Sequence, residues 1–200
     1  GDRIEAGTFL AGGALMGGPV TVRGIDPSFL RMALMKLQAM GCDVQTGDGW
    51  ITVARTGALL PTDIQTLPHP GFPTDLQAQF MLLAAFADGM SVITENVFEN
   101  RFMFAAELGR MGADITIEGH HALVRGVKGL QGAPVSATDL RAGAAMIVAG
   151  LAANGITEID QVYHIERGYE GIVEKLAKLG ADIHEEAIPE EDWRSGNSVG

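Results

Sequence analysis

The sequence has a single cysteine, few basic residues and no long apolar run. Cys42 alone cannot build an internal disulfide framework, and a lone thiol fits a reducing compartment. Lysine and arginine number 14 against 25 acidic residues, a net charge of −11, which argues against nucleic acid because phosphate backbones bind basic surfaces. No apolar run reaches the roughly 18 residues of a membrane span, and no basic, apolar leader opens the sequence. We therefore expect a cytoplasmic protein without nucleic-acid or membrane partners.

Metal-binding spacings are absent too, because the five histidines and the single cysteine form no Cys/His motif. We expect neither a metal site nor a cofactor. What is abundant is apolar sequence, at 46% of 200 residues, which is ample for a packed core.

Three stretches share one design, in which a polar, carboxylate-bearing start leads into a helix that is apolar on nearly every face. Such helices require burial, and Thr and Asp are good N-cap residues. The predicted helices are 3–16, 76–87 and 140–153, after Asp2, Thr74-Asp75 and Thr138-Asp139. The pattern indicates an internal repeat.

Each apolar helix is followed by a strand, an amphipathic helix that ends at glycine, and further strands. The glycines, Gly41, Gly112 and Gly180, are spaced by 71 and 68 residues. The predicted amphipathic helices are 27–40, about 100–111, and 168–179. The predicted strands are 20–22, 42–44, 50–53, 91–94, 114–117, 122–124, 156–159 and 181–183.

This order predicts an α/β (α+β) fold, an inside-out α/β barrel domain with three βαβαββ-type repeats and three buried central helices. We place the domain at 1–185, with repeats at about 2–57, 74–128 and 138–185, and read 186–200 as an acidic, disordered tail. The helix starts at Arg3, Asp75 and Asp139 should cluster at one end, and helix N-termini favour anions.

Candidate site residues have two readings each. Asp75 and Asp139 suit either helix capping, which spacing alone favours for Asp75, or proton transfer by a fixed carboxylate. Arg101, Arg141 and Arg167, all at predicted helix starts, are either surface residues or guanidinium forks for phosphate and carboxylate.

A loop and a thiol complete the candidates. Val97, Phe98 and Asn100 lie between a strand and a helix, where a loop can meet a ligand, although Phe98 could equally be core. Cys42 aligns with Ala113 and Ala181 of the sister repeats, and we expect it to be small buried packing.

Four motifs, at 68–79, 95–102, 137–142 and 163–170, resemble the enolpyruvyl transferase family, in its UDP-N-acetylglucosamine branch. The resemblance covers residues 2 to about 185. It implies an enzyme of two inside-out domains that close on their substrates. The implied reaction moves the enolpyruvyl group of phosphoenolpyruvate onto the 3-hydroxyl of UDP-N-acetylglucosamine and releases phosphate, the first committed step of peptidoglycan synthesis, hence of cell wall biogenesis, cell shape and division.

The resemblance also implies roles. Asp75 matches the aspartate that contacts the accepting hydroxyl and is the proposed base, and Asp139 matches one near the reacting carbon. The arginines would line the phosphoenolpyruvate site, and the loop at 97–100 would touch the amino sugar.

The family's other domain carries a Lys-Asn pair and a mobile loop with a reactive cysteine, and this sequence contains neither. We therefore expect the chain to be one domain whose partner is the second domain of the same enzyme, and to be inactive alone. Two alternatives stay open: a domain of the sister transferase that uses 3-phosphoshikimate, and a non-catalytic, stand-alone ligand-binding relative.

Overall fold

The computed structural model describes residues 1–187, which fall into two compact units. The first runs from Gly1 to Tyr169 and holds the repeats' apolar helices; the second starts at Glu170. Residues 186–187 have no regular structure, and the rest of the predicted tail, 188–200, lies outside the described residues.

The first two repeats have the predicted order of helices and strands, whereas in the described part of the third repeat β9 is followed by two short helices and no further strand. The helices are α1 (Arg3–Met16), α2 (Arg31–Ala39), α3 (Gln77–Ala85), α4 (Phe104–Arg110), α5 (Leu140–Ala152), α6 (Tyr163–Glu166) and α7 (Ile172–Lys178). The strands are β1 (Val20–Arg23), β2 (Asp43–Gly47), β3 (Trp50–Ala54), β4 (Ile64–Gln65), β5 (Met90–Thr94), β6 (Asp114–Glu118), β7 (His121–Arg125), β8 (Pro134–Ser136) and β9 (Glu158–Asp160). Short 3₁₀ turns at Pro27–Leu30 and Thr74–Leu76 lead into α2 and α3.

The three apolar helices α1, α3 and α5 pack against one another. Every residue of α3 is buried, as its lack of a polar face predicts. Small residues permit close packing: a Cβ on Gly7 of α1 would lie 2.7 Å from the Leu76 side chain at the start of α3. All three helices contribute buried residues to the hydrophobic core cluster.

Each apolar helix also packs against strands. Strands β1, β3 and β2 form an antiparallel sheet that packs on α1. The order β4-β5-β7-β6 forms a second sheet on α3, and the parallel pair β8-β9 contacts α5 through β9. Ile51 and Val53 of β3 are buried and alternate with half-buried neighbours, as expected for a sheet with one face on the core.

Three predicted elements differ from the structure. The helix predicted from about 100 starts only at Phe104, because Asn100 has a left-handed φ of +57° that interrupts helical geometry. The helix predicted over 168–179 starts at Ile172. The strand predicted at 181–183 is wrong: these residues have no strand assignment, because within the described part of the second unit no other strand is present to pair with them.

The short helix α6 was not predicted, and neither were two short strands, β4 and β8. Each pairs in parallel with a later strand, β4 with β5 and β8 with β9. A segment of two or three residues carries too little periodicity to be recognised, so tertiary pairing alone defines it. Within residues 1–187, no helix has the length and apolar content that a membrane crossing requires.

Candidate functional site

The starts of the three apolar helices meet. Gln79, in the first turn of α3, donates from Nε2 to Thr8 Oγ1 of α1 at 3.0 Å and to the carbonyl of Arg141 in α5 at 3.4 Å. Contacts between α1 and the turn before α3 join the same end. The cluster of helix starts therefore brings together residues that lie far apart in sequence.

Asp75 lies at this end, and it is not a helix cap. The 3₁₀ turn that contains it has Pro73 as its N-cap, and α3 has Leu76, neither with a side-chain capping bond. The Asp75 carboxylate instead pairs with two guanidinium groups. Its Oδ1 lies 2.9 Å from Arg101 Nη2 and its Oδ2 lies 3.7 Å from Arg141 Nη2. The spacing-based reading of Asp75 as a cap is thus wrong.

Asp139, by contrast, caps α5. Its Oδ1 accepts hydrogen bonds from the backbone N–H groups of Arg141 and Ala142, both at 2.8 Å. These two hydrogen bonds fix the first turn of α5. They thereby position Arg141, whose side chain faces Asp75. The capping reading, left open by the sequence, is confirmed for Asp139.

Arg101 and Arg141 converge from different elements. Arg101 lies three residues before α4, donates from Nη1 to Thr74 Oγ1 at 2.8 Å, and stacks on the Phe98 ring at 4.9 Å. Arg141 lies 5.5 Å from the Tyr169 ring centroid, and its buried Nη1 has no hydrogen-bond partner among the described residues. Two guanidinium groups therefore face one carboxylate, and the N–H groups of guanidinium suit carboxylate and phosphate anions.

Arg167 does not join this cluster. It follows the last residue of α6, is exposed, and shows no ion pair or hydrogen bond from its side chain within the described range. The expectation that all three arginines lie at helix starts holds for Arg141 in the first turn of α5 and is wrong for the other two. Arg101 precedes α4 by three residues, and Arg167 directly follows the short α6.

The loop after β5 is largely exposed, and its backbone N–H groups are held by the side chain of Glu95. The N–H groups of Val97 and Phe98 donate to Glu95 Oε1 at 2.9 and 3.1 Å. Phe98 is 55% exposed, so its reading as core is wrong. Asn100 is exposed at the left-handed position that ends the loop.

Several residues at this end were missed by sequence reasoning. Thr8, Gln79, Glu95 and Tyr169 are buried and polar or partly polar. Tyr169 Oη lies 3.0 Å from Thr8 Oγ1, and burial raises the pKa of its phenol above the ordinary value. Gln79 could have been noticed as a glutamine within an otherwise apolar helix, since a buried amide demands partners.

Cys42 is a buried free cysteine, and among the described residues no hydrogen bond or ion pair joins it to this site. It belongs to the hydrophobic core cluster, and burial raises the pKa of its thiol, which disfavours the reactive thiolate. The expectation of a small packed residue is confirmed. No group of three metal-ligating side chains occurs within residues 1–187.

Comparison with known proteins gives consistent relatives. The sequence model of the family described as EPSP synthase (3-phosphoshikimate 1-carboxyvinyltransferase) matches residues 1–176. The chain is 57% identical over 185 residues to a UDP-N-acetylglucosamine 1-carboxyvinyltransferase of Anaeromyxobacter sp. (strain Fw109-5), covering 92% of the chain and 44% of that protein. It is 50% identical over 198 residues to the protein of the same name from Psychrobacter sp. (strain PRwf-1), covering 99% of the chain and 46% of that protein.

Solved structures agree in fold. The enolpyruvyl transferase NikO from Streptomyces tendae superposes with a TM-score of 0.84 at 35% identity, over 94% of this chain and 45% of that one. EPSP synthase from Acinetobacter baumannii superposes with a TM-score of 0.69 at 20% identity, over 92% of this chain and 46% of that one. This likeness supports the mixed helix and sheet fold. The chain thus spans somewhat under half the length of the relatives it matches. Its motifs, its fold and the matching family model agree: the chain belongs to the EPSP synthase family of enolpyruvyl transferases.

Proposed function

We propose that this chain is one domain, residues 1–185, of a two-domain transferase that moves enolpyruvyl from phosphoenolpyruvate to the 3-hydroxyl of UDP-N-acetylglucosamine. The observation that carries the proposal is the Asp75 carboxylate held between Arg101 and Arg141 where three helix starts meet. The names of the relatives at 50–57% identity support the choice of acceptor. We include in the proposal the inside-out barrel, with α1, α3 and α5 at its centre.

The proposed chemistry uses the two kinds of charge differently. A bond forms between the acceptor's 3-oxygen and carbon 2 of the enolpyruvyl group, and the bond from that carbon to the phosphate oxygen breaks. Asp75 takes the hydroxyl proton as general base. Arg101 and Arg141 orient the Asp75 carboxylate. They also offer guanidinium N–H groups to the carboxylate and the phosphate of phosphoenolpyruvate.

The remaining predicted residues take supporting roles in this proposal. Asp139 holds the start of α5 and lies near the reacting carbon. Arg167 is exposed and lies outside the Asp75 cluster, and in this proposal it turns toward the donor as a third guanidinium when the donor binds. Val97, Phe98 and Asn100 contact the amino sugar. The product would enter peptidoglycan synthesis in the cytoplasm, and no cofactor is required.

The test measures phosphate release from phosphoenolpyruvate. We expect the intact two-domain protein to release phosphate with UDP-N-acetylglucosamine and not with shikimate 3-phosphate. We expect the 200-residue chain alone to release none, because one domain cannot hold both substrates in the geometry that the reaction needs. Release with shikimate 3-phosphate instead would favour the sister transferase. Release with neither acceptor would favour a non-catalytic ligand-binding relative.

Asp75→Asn tests the assigned base. We expect kcat to fall about 10²- to 10⁴-fold, the usual contribution of a general base. The matched control is Asp114→Asn, which makes the same change at an exposed ion pair with Arg125 and should leave kcat unchanged. Both melting temperatures should stay near wild type. A loss of stability that parallels the loss of turnover for Asp75→Asn would return this residue to a structural role.

A further inference from the structure

Glu95 is a carboxylate that no role described above uses, and it lies at the end of β5 directly before the exposed loop. Its residue is only 3% exposed. Among the described residues no cation pairs with it. A buried charge of this kind is tolerated only when hydrogen bonds satisfy it, so its partners define what it does.

Four donors converge on Glu95 from three segments of the chain. Oε1 accepts from Thr66 Oγ1 at 2.8 Å, and from the backbone N–H groups of Val97 at 2.9 Å and Phe98 at 3.1 Å. Oε2 accepts from Thr74 Oγ1 at 2.9 Å. The carboxylate therefore joins the segment after β4, the turn before α3 and its own loop at one point.

The direction of the Thr74 bond follows from its other neighbour. Arg101 Nη1 lies 2.8 Å from Thr74 Oγ1 and has only protons to offer. The hydroxyl must accept from Arg101, so its own proton points to Glu95. The chain of bonds from Arg101 through Thr74 to Glu95 thus has a single polarity, and it requires an acceptor at Oε2.

The Thr66 hydroxyl repeats this arrangement on the other side. It accepts from the backbone N–H of Asn96 at 2.9 Å while it donates to Glu95. Glu95 therefore holds the loop through the N–H groups of Val97 and Phe98 directly and through Thr66. The Phe98 ring in turn lies against the Arg101 guanidinium.

We propose that Glu95 is a positioning residue that sets two subsites together: the orientation of Arg101 on the donor side, through Thr74, and the conformation of the Val97-Phe98 loop on the acceptor side. The kinetic part of this inference rests on the function proposed above. Its structural part does not, because it concerns only hydrogen bonds within the chain.

The structural part is tested by amide hydrogen exchange of Val97 and Phe98 in the 200-residue chain without substrate. Both oxygens of Glu95 accept hydrogen bonds. Glu95→Gln replaces one of these oxygens with an N–H₂ group, which cannot accept, and it removes the negative charge from the other. We expect exchange at these two amides to speed up about tenfold, a shift that matches the loss of roughly one charge-assisted hydrogen bond. The control, Glu99→Gln, removes the same charge from an exposed neighbour in the loop and should change neither amide. Unchanged exchange at both amides in Glu95→Gln would overturn the proposal.

The kinetic part is tested in the intact enzyme, where it separates the effect of Glu95 on Arg101 from its effect on the Val97-Phe98 loop. Thr74→Val removes both hydrogen bonds by which Thr74 connects Glu95 to Arg101 and leaves the three bonds at Glu95 Oε1 in place. It should raise the KM for phosphoenolpyruvate about tenfold with the KM for UDP-N-acetylglucosamine unchanged. Glu95→Gln should raise both KM values. A merely structural Glu95 would lower the active fraction, and hence kcat, with both KM values intact, and that result would refute the positioning role. Wild-type protein that turns over neither acceptor would refute the proposed function and the kinetic part, while amide exchange would still decide the structural part.

Discussion

Replacing Thr8 with valine should cost this fold more than its small change in shape suggests. Thr8 Oγ1 donates its proton to the carbonyl of Ile4 at 2.9 Å. Its lone pairs therefore accept from Gln79 Nε2 and Tyr169 Oη, each at 3.0 Å. All these atoms are buried, and the contacts join α1, α3 and the segment after α6.

The magnitude follows from the donors that Thr8→Val leaves without a partner. Valine keeps the β-branched shape, so packing and helix propensity change little. Two buried donors lose their acceptor at about 1–3 kcal/mol each, although Gln79 keeps its longer contact with the Arg141 carbonyl at 3.4 Å. We expect a loss of about 2–4 kcal/mol in the free energy of unfolding, or roughly 5–15 °C in Tm for a chain of this size.

The assay is urea unfolding of the 200-residue chain, monitored by circular dichroism. The m-value, the slope of the unfolding free energy against urea concentration, is compared between variants. The matched control is Thr21→Val, which removes an exposed hydroxyl pair with Thr52 of 2.7 Å and should stay within about 0.5 kcal/mol of wild type. In the double variant Thr8→Val/Tyr169→Phe the orphaned phenol is gone, so the two losses should not add. If Thr8→Val costs no more than Thr21→Val, the buried network contributes nothing and the reasoning is refuted.

Two further predictions concern glycine packing and alkaline pH. Gly13→Ala in α1 should destabilise the chain by about 1–3 kcal/mol, because the new Cβ would lie 2.8 Å from the Val20 Cβ. The control Gly12→Ala, whose new Cβ would have its nearest neighbour at 3.8 Å, should stabilise the chain by up to about 1 kcal/mol. Equal urea midpoints for the two variants would contradict the prediction. Burial raises the pKa of Tyr169 above 10.0, so its contribution to stability is present below pH 10 and is lost as pH rises through the folded-state pKa. The Tm of wild type should therefore fall more steeply than that of Tyr169→Phe between about pH 9.5 and pH 11.5, and parallel curves would contradict the assignment.

The fold was predictable where the sequence repeats a strong local pattern. The apolar helix predicted at 3–16 is α1, and the paired strands around Gly47-Asp48-Gly49 form the expected hairpin. The prediction failed where local signals were weak or misleading. The helix predicted at 168–179 starts only at Ile172, because Gly171 has a left-handed φ of +56° that interrupts helical geometry.

The site shows the same division at the level of single residues. Sequence motifs selected Asp75, Arg101 and Arg141, and the structure brings these three side chains together. The same reasoning assigned Arg167 to a helix start that does not exist there. It passed over Glu95, because four donors from three segments cannot be read from one position in a sequence.

The sequence by itself determined which helices are buried, where each ends, and to which family the chain belongs, because apolar periodicity, glycine stops and motifs are local properties of the chain. Only the tertiary structure decided which polar groups meet. Asp75 has the residue type and position of a helix cap, yet its carboxylate faces two guanidinium groups from residues 26 and 66 positions away. An ion pair or a hydrogen bond depends on distances of a few ångströms, and these are set by the packing of the three apolar helices.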